Sequence, residues 1–201
     1  AIIHHLFDRK SKFTRKMAGL EVDEQIVATN VDYILLVMSM NADFNVRRLE
    51  RYLVAAWDSG ATPLIVLTKA DLCEDENALI EAVQSVAFGV DVLTVSAVTG
   101  EGISALKEFL TEGKTAALLG SSGAGKSTLT NALLNTDQMK VSDIREDDAK
   151  GRHTTTHREL VVLPSGACLI DTPGMRELQL WDQGDSLSAS FSDIDQLADN
   201  C

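Results

Sequence analysis

Gly120-Ser121-Ser122-Gly123-Ala124-Gly125-Lys126-Ser127 fits the pattern G-x-x-x-x-G-K-[ST], and Thr128 follows it. The apolar run 116–119 precedes the pattern and a helical pattern fits 126–135, so it stands where a strand gives way to a helix. Glycines let successive backbone N–H groups turn inward around phosphate oxygens, and a helix amino terminus adds partial positive charge. The stretch therefore predicts a phosphate-binding loop, with Lys126 meeting the β- and γ-phosphates of a nucleotide and Ser127 ligating magnesium.

Outward from that loop, short apolar runs alternate with helical patterns. Residues 33–38, 64–67, 92–95 and 116–119 contain no polar alternation and predict strands buried on both faces. Val46, Leu49, Leu53, Ala56 and Trp57 fall at helical spacing, and Gly60 with Pro63 is expected to end that helix. Further helices fit 75–87 and 102–110. The alternation implies an α/β fold with a mostly parallel sheet and helices on both faces. The runs 160–163 and 167–170 flank Pro164-Ser165-Gly166 and predict a β-hairpin, which supplies one antiparallel edge strand. Residues 1–28 do not fit the alternation and look like strands of another unit. The stretch 137–157 is polar and charged, the profile of a long functional loop.

The phosphate loop alone does not choose a base. Thr68-Lys69-Ala70-Asp71 follows the strand 64–67 and makes that choice. A carboxylate such as Asp71 can accept two hydrogen bonds from the guanine ring N–H and exocyclic amine, which adenine cannot supply, while Lys69 covers the base plane with its aliphatic stem. Ser96-Ala97, after the strand 92–95, fits a third loop whose backbone N–H meets the guanine carbonyl. Asp171-Thr172-Pro173-Gly174 follows the strand 167–170 and resembles the γ-phosphate sensor of GTPases, with Asp171 holding magnesium through water and the Gly174 N–H on the γ-phosphate. GTPases ordinarily run phosphate loop, switch threonine, Asp-x-x-Gly, then guanine recognition. Here guanine recognition comes first, an order that looks like a circularly permuted GTPase. Permutation is tolerable because the site gathers loops from the carboxyl ends of strands wherever the chain's ends lie.

Composition narrows the class further. The 201 residues are 45% apolar and 24% charged, which suits one globular domain with fragments of neighbours attached. No unbroken apolar stretch exceeds that of 33–38, which falls far short of the roughly 20 residues that cross a bilayer. Ala1-Ile2-Ile3-His4-His5 has no secretory pattern, and three widely spaced cysteines give no disulfide framework, so a reducing cytoplasm is expected. A net charge of −12 excludes a generally basic nucleic-acid surface. One local patch runs against that balance: residues 8–16 hold five basic side chains and Phe13 against one acid, a composition able to grip RNA or to form a solvated face. Residues 182–200 carry five Asp and no basic residue. His4, His5, Cys73 and Cys168 receive no role, since lone residues of these types are mostly surface or core. Trp57 fits the helix core, and Trp181 marks packing after the second switch.

The blocks Asn30-Val31-Asp32, Asp43-Phe44-Asn45 with Arg51-Tyr52-Leu53, Gly120-Ser121-Ser122-Gly123, Gly151-Arg152-His153-Thr154-Thr155-Thr156 and Asp171-Thr172-Pro173-Gly174-Met175 together resemble the RsgA (YjeQ) family of ribosome-associated GTPases, over nearly the whole chain. The resemblance implies a partial OB-fold tail at 1–28, a circularly permuted GTPase domain at 29–185 and the start of a zinc-binding domain at 186–201, with Cys201 as its first zinc ligand. It implies GTP and GDP as ligands, magnesium held by Ser127, Asp171 and one of the three threonines Thr154, Thr155 and Thr156, taken as Thr155, and zinc in the full-length protein. It also implies binding to the small ribosomal subunit and its rRNA and action late in subunit assembly; a monomer and no membrane partner are expected. Two positions depart from the wider GTPase pattern. Thr68 stands where many GTPases have Asn, which lowers the expected guanine affinity without changing base choice. Met175 stands where Ras-like enzymes place a water-orienting Gln, and His153 is the candidate to hold the attacking water instead. The competing readings are a permuted GTPase of large-subunit assembly, a nucleotide-binding module with little turnover, and a small-molecule kinase, which Asp71 and Asp171 disfavour.

Overall fold

The structure is a computed structural model and describes residues 3–5, 8–16, 24–41, 43–135 and 159–171. Two strands, β1 (Lys12–Lys16) and β2 (Glu24–Thr29), pair antiparallel as a small sheet of their own. The remainder is built from β3 (Tyr33–Ser39), α1 (Val46–Asp58), β4 (Thr62–Thr68), a short 3₁₀ turn (Ala70–Leu72), α2 (Glu76–Gln84), β5 (Asp91–Val95), α3 (Ile103–Phe109), β6 (Thr115–Leu119), α4 (Lys126–Leu134), β7 (Glu159–Val162) and β8 (Cys168–Asp171). These six strands form one sheet in the order β5-β4-β3-β6-β8-β7. All are parallel except β7, which pairs antiparallel with β8 at the edge.

The period of two along a strand divides the core cleanly. Ile34, Leu36 and Met38 of β3 join Ile65, Leu67, Ala117 and Leu119 under α1 and α2, beside Leu49, Tyr52, Leu53, Ala56 and Val83. Leu35 and Val37 join Leu64, Val66, Leu118 and Leu169 under α3 and α4, beside Ile103, Leu106, Leu129 and Leu133. Continuous apolar runs were the correct sign of two covered faces for β3, β4 and β6. β5 differs: Val92, Leu93 and Thr94 are only partly buried, because β5 is an edge strand.

Pro63 does not stop α1, as had been expected; it is the second residue of β4. Thr62 N–H donates to the Asp32 carbonyl at 2.9 Å, so the next amide position faces the other side, where the β5 ladder begins only at Leu64. A missing N–H costs nothing there. The helix ends at Asp58 with Ser59 as its cap, and Gly60 follows at φ +77°, in keeping with its expected part in ending the helix.

Trp57 is 47% exposed, contrary to its expected place in the helix core, while Tyr52 is 2% exposed. The cause lies outside the helix. Phe13, Val27 and Ala28 of the small sheet share the same core cluster, and α1 packs on β1 as well as on β3 and β4. That extra partner turns the buried arc of α1 toward Tyr52 and leaves Trp57 outside.

Beside that shared apolar cluster, polar contacts also join the two sheets. Ser11 Oγ donates to the Val31 carbonyl and accepts from the Val31 N–H, both at 2.7 Å. Asp32 ties the start of β3 to the start of β6, its carboxylate accepting from the Thr115 N–H at 2.8 Å.

Candidate functional site

Parallel strands put all their carboxyl ends on one edge of the sheet, so the segments after β3, β4, β5 and β6 meet there although the chain visits them far apart. The 120–125 segment is shaped by its glycines. Gly123 and Gly125 adopt φ +81° and +90°, which a side chain would strain, and Gly125 leads directly into α4. Gly120 is needed for space: a Cβ there would overlap the Val37 carbonyl of the neighbouring strand.

Lys126 is 8% exposed, and its ammonium donates to the carbonyls of Gly120 and Ser121, each at 2.8 Å. Burial pushes its pKa below the ordinary lysine value, while the negative charge of Asp171 opposes that shift. Asp171 ends β8 in register with Leu118 of β6, just short of the loop. Ser127, partly buried, lies in the first turn of α4, and Thr128 follows it. Ser122 and Gly123 face solvent, whereas Ser121 and Ala124 are buried.

The base-side segment is tied to the phosphate loop by Thr68. Its hydroxyl, 4% exposed, donates to the Ala124 carbonyl at 2.6 Å. The Thr68 side chain is therefore committed to joining the two loops. Lys69 takes a left-handed conformation at φ +61°, a strained position for a residue with a Cβ. Asp71 is exposed in the 3₁₀ turn, and its Oδ1 accepts from the Ser96 hydroxyl at 2.6 Å. Ser96 also accepts the Thr99 N–H at 3.1 Å, while its own N–H donates to the Glu101 carbonyl at 3.0 Å. What Ser96 gives the site is thus a hydroxyl that fixes Asp71, rather than the free backbone N–H that its position in sequence suggested. Ala97 follows, partly buried. Beside it, a cleft of about 560 Å³ runs between α3 and α4, lined in part by Ala97, Thr99 and Thr128.

The structure thus brings Thr68, Lys69, Ala70, Asp71, Ser96, Ala97, the 120–128 stretch and Asp171 to one end of the sheet. His153, Thr155, Gly174, Met175, Trp181 and Cys201 lie outside the described residues. Among the described residues, no group of three or more His, Cys, Asp or Glu is placed to hold a metal ion. A magnesium ion carried by a nucleotide takes most of its ligands from phosphates and water, and needs only one or two protein oxygens. The hydroxyl of Ser127 and the carboxylate of Asp171, both beside the glycine cradle, suit that demand. Among the described residues, no helix is long and apolar enough to cross a membrane.

Two side chains that touch the phosphate loop receive no site role in the sequence reading. Asp43 and Arg48, in and after the loop that follows β3, form hydrogen bonds with Ser121 of the phosphate loop. A signal existed, since an acid just ahead of a helix and a base in its first turn often pair. Their distance from Ser121 in sequence hid the rest.

The RsgA GTPase family model matches residues 6–181. Over all 201 residues the chain is 58% identical to small ribosomal subunit biogenesis GTPase RsgA 2 of Lactiplantibacillus plantarum, covering 56% of that protein. It is 51% identical over 201 residues to RsgA 1 of Oceanobacillus iheyensis, covering 57% of it. The chain thus spans a little over half the length of these relatives. Among solved structures, YjeQ from Thermotoga maritima superposes with a TM-score of 0.64 at 28% identity, covering 88% of this chain and 56% of that one. YloQ, described as a circularly permuted GTPase, superposes with a TM-score of 0.58 at 23% identity, covering 98% of this chain and 68% of that one.

Proposed function

The chain belongs to the RsgA GTPase family and has its circularly permuted fold, and on that premise we propose that it binds and hydrolyses GTP as a switch in late assembly of the small ribosomal subunit. The observation that supports the proposal is an exposed aspartate after β4 and a glycine cradle after β6 at one sheet edge, in permuted order, with Thr68 bonded to Ala124 between them.

In this reading the 120–128 backbone wraps the phosphates, and Lys126 exchanges its two loop carbonyls for phosphate oxygens. That exchange suits a buried ammonium, because the incoming charge offsets the desolvation that now depresses its pKa. Asp71 accepts from guanine, Lys69 lies along the base, and the Ala97 N–H meets the guanine carbonyl. Ser127 and Asp171 hold magnesium, with Thr155 joining them in the GTP state. Magnesium, when bound, neutralises charge on the β- and γ-phosphates. Gly174 senses the γ-phosphate and His153 orients the attacking water. Glu159, the first residue of β7, lies in register with Asp171 at the end of β8.

The partner is the small subunit and its rRNA, met in the cytoplasm by a monomer, with Cys201 as one ligand of a zinc site. The test measures GTP turnover by the protein with and without small subunits, and its co-sedimentation on small and large subunits with GDP or a GTP analogue. Capture on small subunits with the analogue, release with GDP and stimulated turnover are expected. Preference for large subunits would overturn the assignment of partner, and capture without turnover would overturn that of a hydrolase.

A further inference from the structure

The hydroxyl of Ser121 is held from both sides. It donates to Asp43 Oδ2 at 2.8 Å and accepts from Arg48 Nη1 at 3.1 Å. Arg48 and Asp43 are themselves paired through two nitrogens, Nη1 to Oδ2 at 2.9 Å and Nη2 to Oδ1 at 3.2 Å. A two-point pair of this kind fixes direction as well as distance. It is also well anchored: Asn45 caps α1 by accepting the Arg48 N–H at 3.0 Å, and Asn41 Oδ1 accepts the Asp43 N–H at 3.1 Å.

Ser121 is the second residue of the phosphate loop and is 8% exposed. Its carbonyl is one of the two that receive the Lys126 ammonium. When Lys126 turns toward phosphate, that carbonyl loses its donor, and the side-chain contacts remain to keep the residue in place. The carboxylate of Asp43 also feels Lys69 from the base-side loop. Burial raises its pKa, but the hydrogen bonds from Arg48 and Ser121 and the charges of Arg48 and Lys69 outweigh that, so Asp43 stays ionised well into mild acid. Ionised, it keeps accepting from both partners.

We propose that Asp43 and Arg48 are positioning residues for nucleotide binding: together they clamp the Ser121 hydroxyl and hold the phosphate loop in its wrapped form before the nucleotide arrives. The proposal rests on the nucleotide-site reading above. In this proposal each residue acts through Ser121, and a preformed loop binds more tightly because less ordering remains to be done on binding.

The experiment compares Asp43→Ala, Arg48→Met, Ser121→Ala and the Asp43→Ala/Ser121→Ala double variant with the natural protein. It reads GDP and GTP-analogue affinity, and amide hydrogen exchange at 120–126 in the nucleotide-free protein. Each single variant should weaken binding about three- to tenfold and speed exchange at 120–126, with exchange in β4 unchanged. The double variant should be no weaker than the worse single, because both substitutions remove one shared hydrogen bond. A merely structural role would give additive losses and exchange that rises across the sheet. Additive losses, or affinity within about twofold with unchanged exchange in both Asp43→Ala and Arg48→Met, would overturn the clamp. If the natural protein binds no guanine nucleotide, the nucleotide reading fails instead, and the exchange measurement still reports on the clamp.

Discussion

The two ends of the candidate site are built from different materials. At the phosphate end Gly120, Ala124 and Lys126 are buried, and the shape is set by backbone whose glycines sit where a Cβ does not fit or φ is positive. At the base end Asp71 faces solvent, and the chemistry resides in side chains: Asp71 itself, the Ser96 hydroxyl behind it and Lys69 beside it. A backbone site is part of the core, so altering it should cost stability first. A side-chain site is mounted on the core, so altering it should change the ligand and leave the fold alone.

The largest effect is expected at Gly120. Its neighbour Leu119 is in register with Leu36 of β3, and both strands are central, so neither backbone can retreat from a new Cβ against the Val37 carbonyl. Gly120→Ala should cost about 3 kcal/mol or more, as forced overpacking does, and lower the melting temperature by roughly 6–12 °C. Thermal unfolding monitored by circular dichroism checks it. Melting within about 2 °C of the natural protein would break the contrast, because the phosphate end would then be as yielding as the base end.

This contrast also explains what was legible in the sequence. The glycines of 120–125 and the apolar runs of β3, β4 and β6 are local signals, written by steric need at single positions. Strand–helix alternation therefore predicted the sheet, its antiparallel edge and the loop. Contacts made by distant segments left no such mark. Trp57 was assigned to the core by helical period alone, and only the packing of Phe13 from the small sheet explains why Tyr52 is buried instead. Thr68 was legible as a departure from Asn in a base-recognition motif, but its bond to Ala124 spans 56 residues of chain. The clamp on Ser121 spans 78 from Asp43 and 73 from Arg48.

At the base end the next largest effect belongs to Asp71. Asp71→Asn presents an amide donor where guanine also donates, so GTP affinity should fall by about 2 kcal/mol, roughly 30-fold. Affinity for xanthosine triphosphate, which offers an acceptor at that position, should rise. The melting temperature should stay unchanged within about 2 °C, since the side chain is exposed. Fluorescent-nucleotide titration with both bases checks this. Unchanged GTP affinity would remove Asp71 from base recognition and with it the side-chain half of the comparison.

The smallest expected effect is the sharpest test, because Ser96 belongs to both categories at once. It is fully buried, as a core residue is, yet its hydroxyl serves an exposed carboxylate, donating to Asp71 Oδ1 at 2.6 Å and accepting the Thr99 N–H at 3.1 Å. Ser96→Ala removes one oxygen from a small space, so the packing loss is slight. The Thr99 N–H can turn to water, because Thr99 is exposed. What remains is the loss of a hydrogen bond to a charged group, about 1 kcal/mol when an exposed partner can recover part of it from solvent. GTP affinity should therefore fall about fivefold, with no gain for xanthosine triphosphate, because the carboxylate is loosened and its chemistry is kept. That pattern separates Ser96 from Asp71: one substitution changes how firmly the acceptor is held, the other changes what it accepts. Equal losses for GTP and for inosine triphosphate, which lacks the exocyclic amine, would show that Ser96 acts on the whole loop. A loss confined to GTP would place its effect on the second of the two bonds to Asp71.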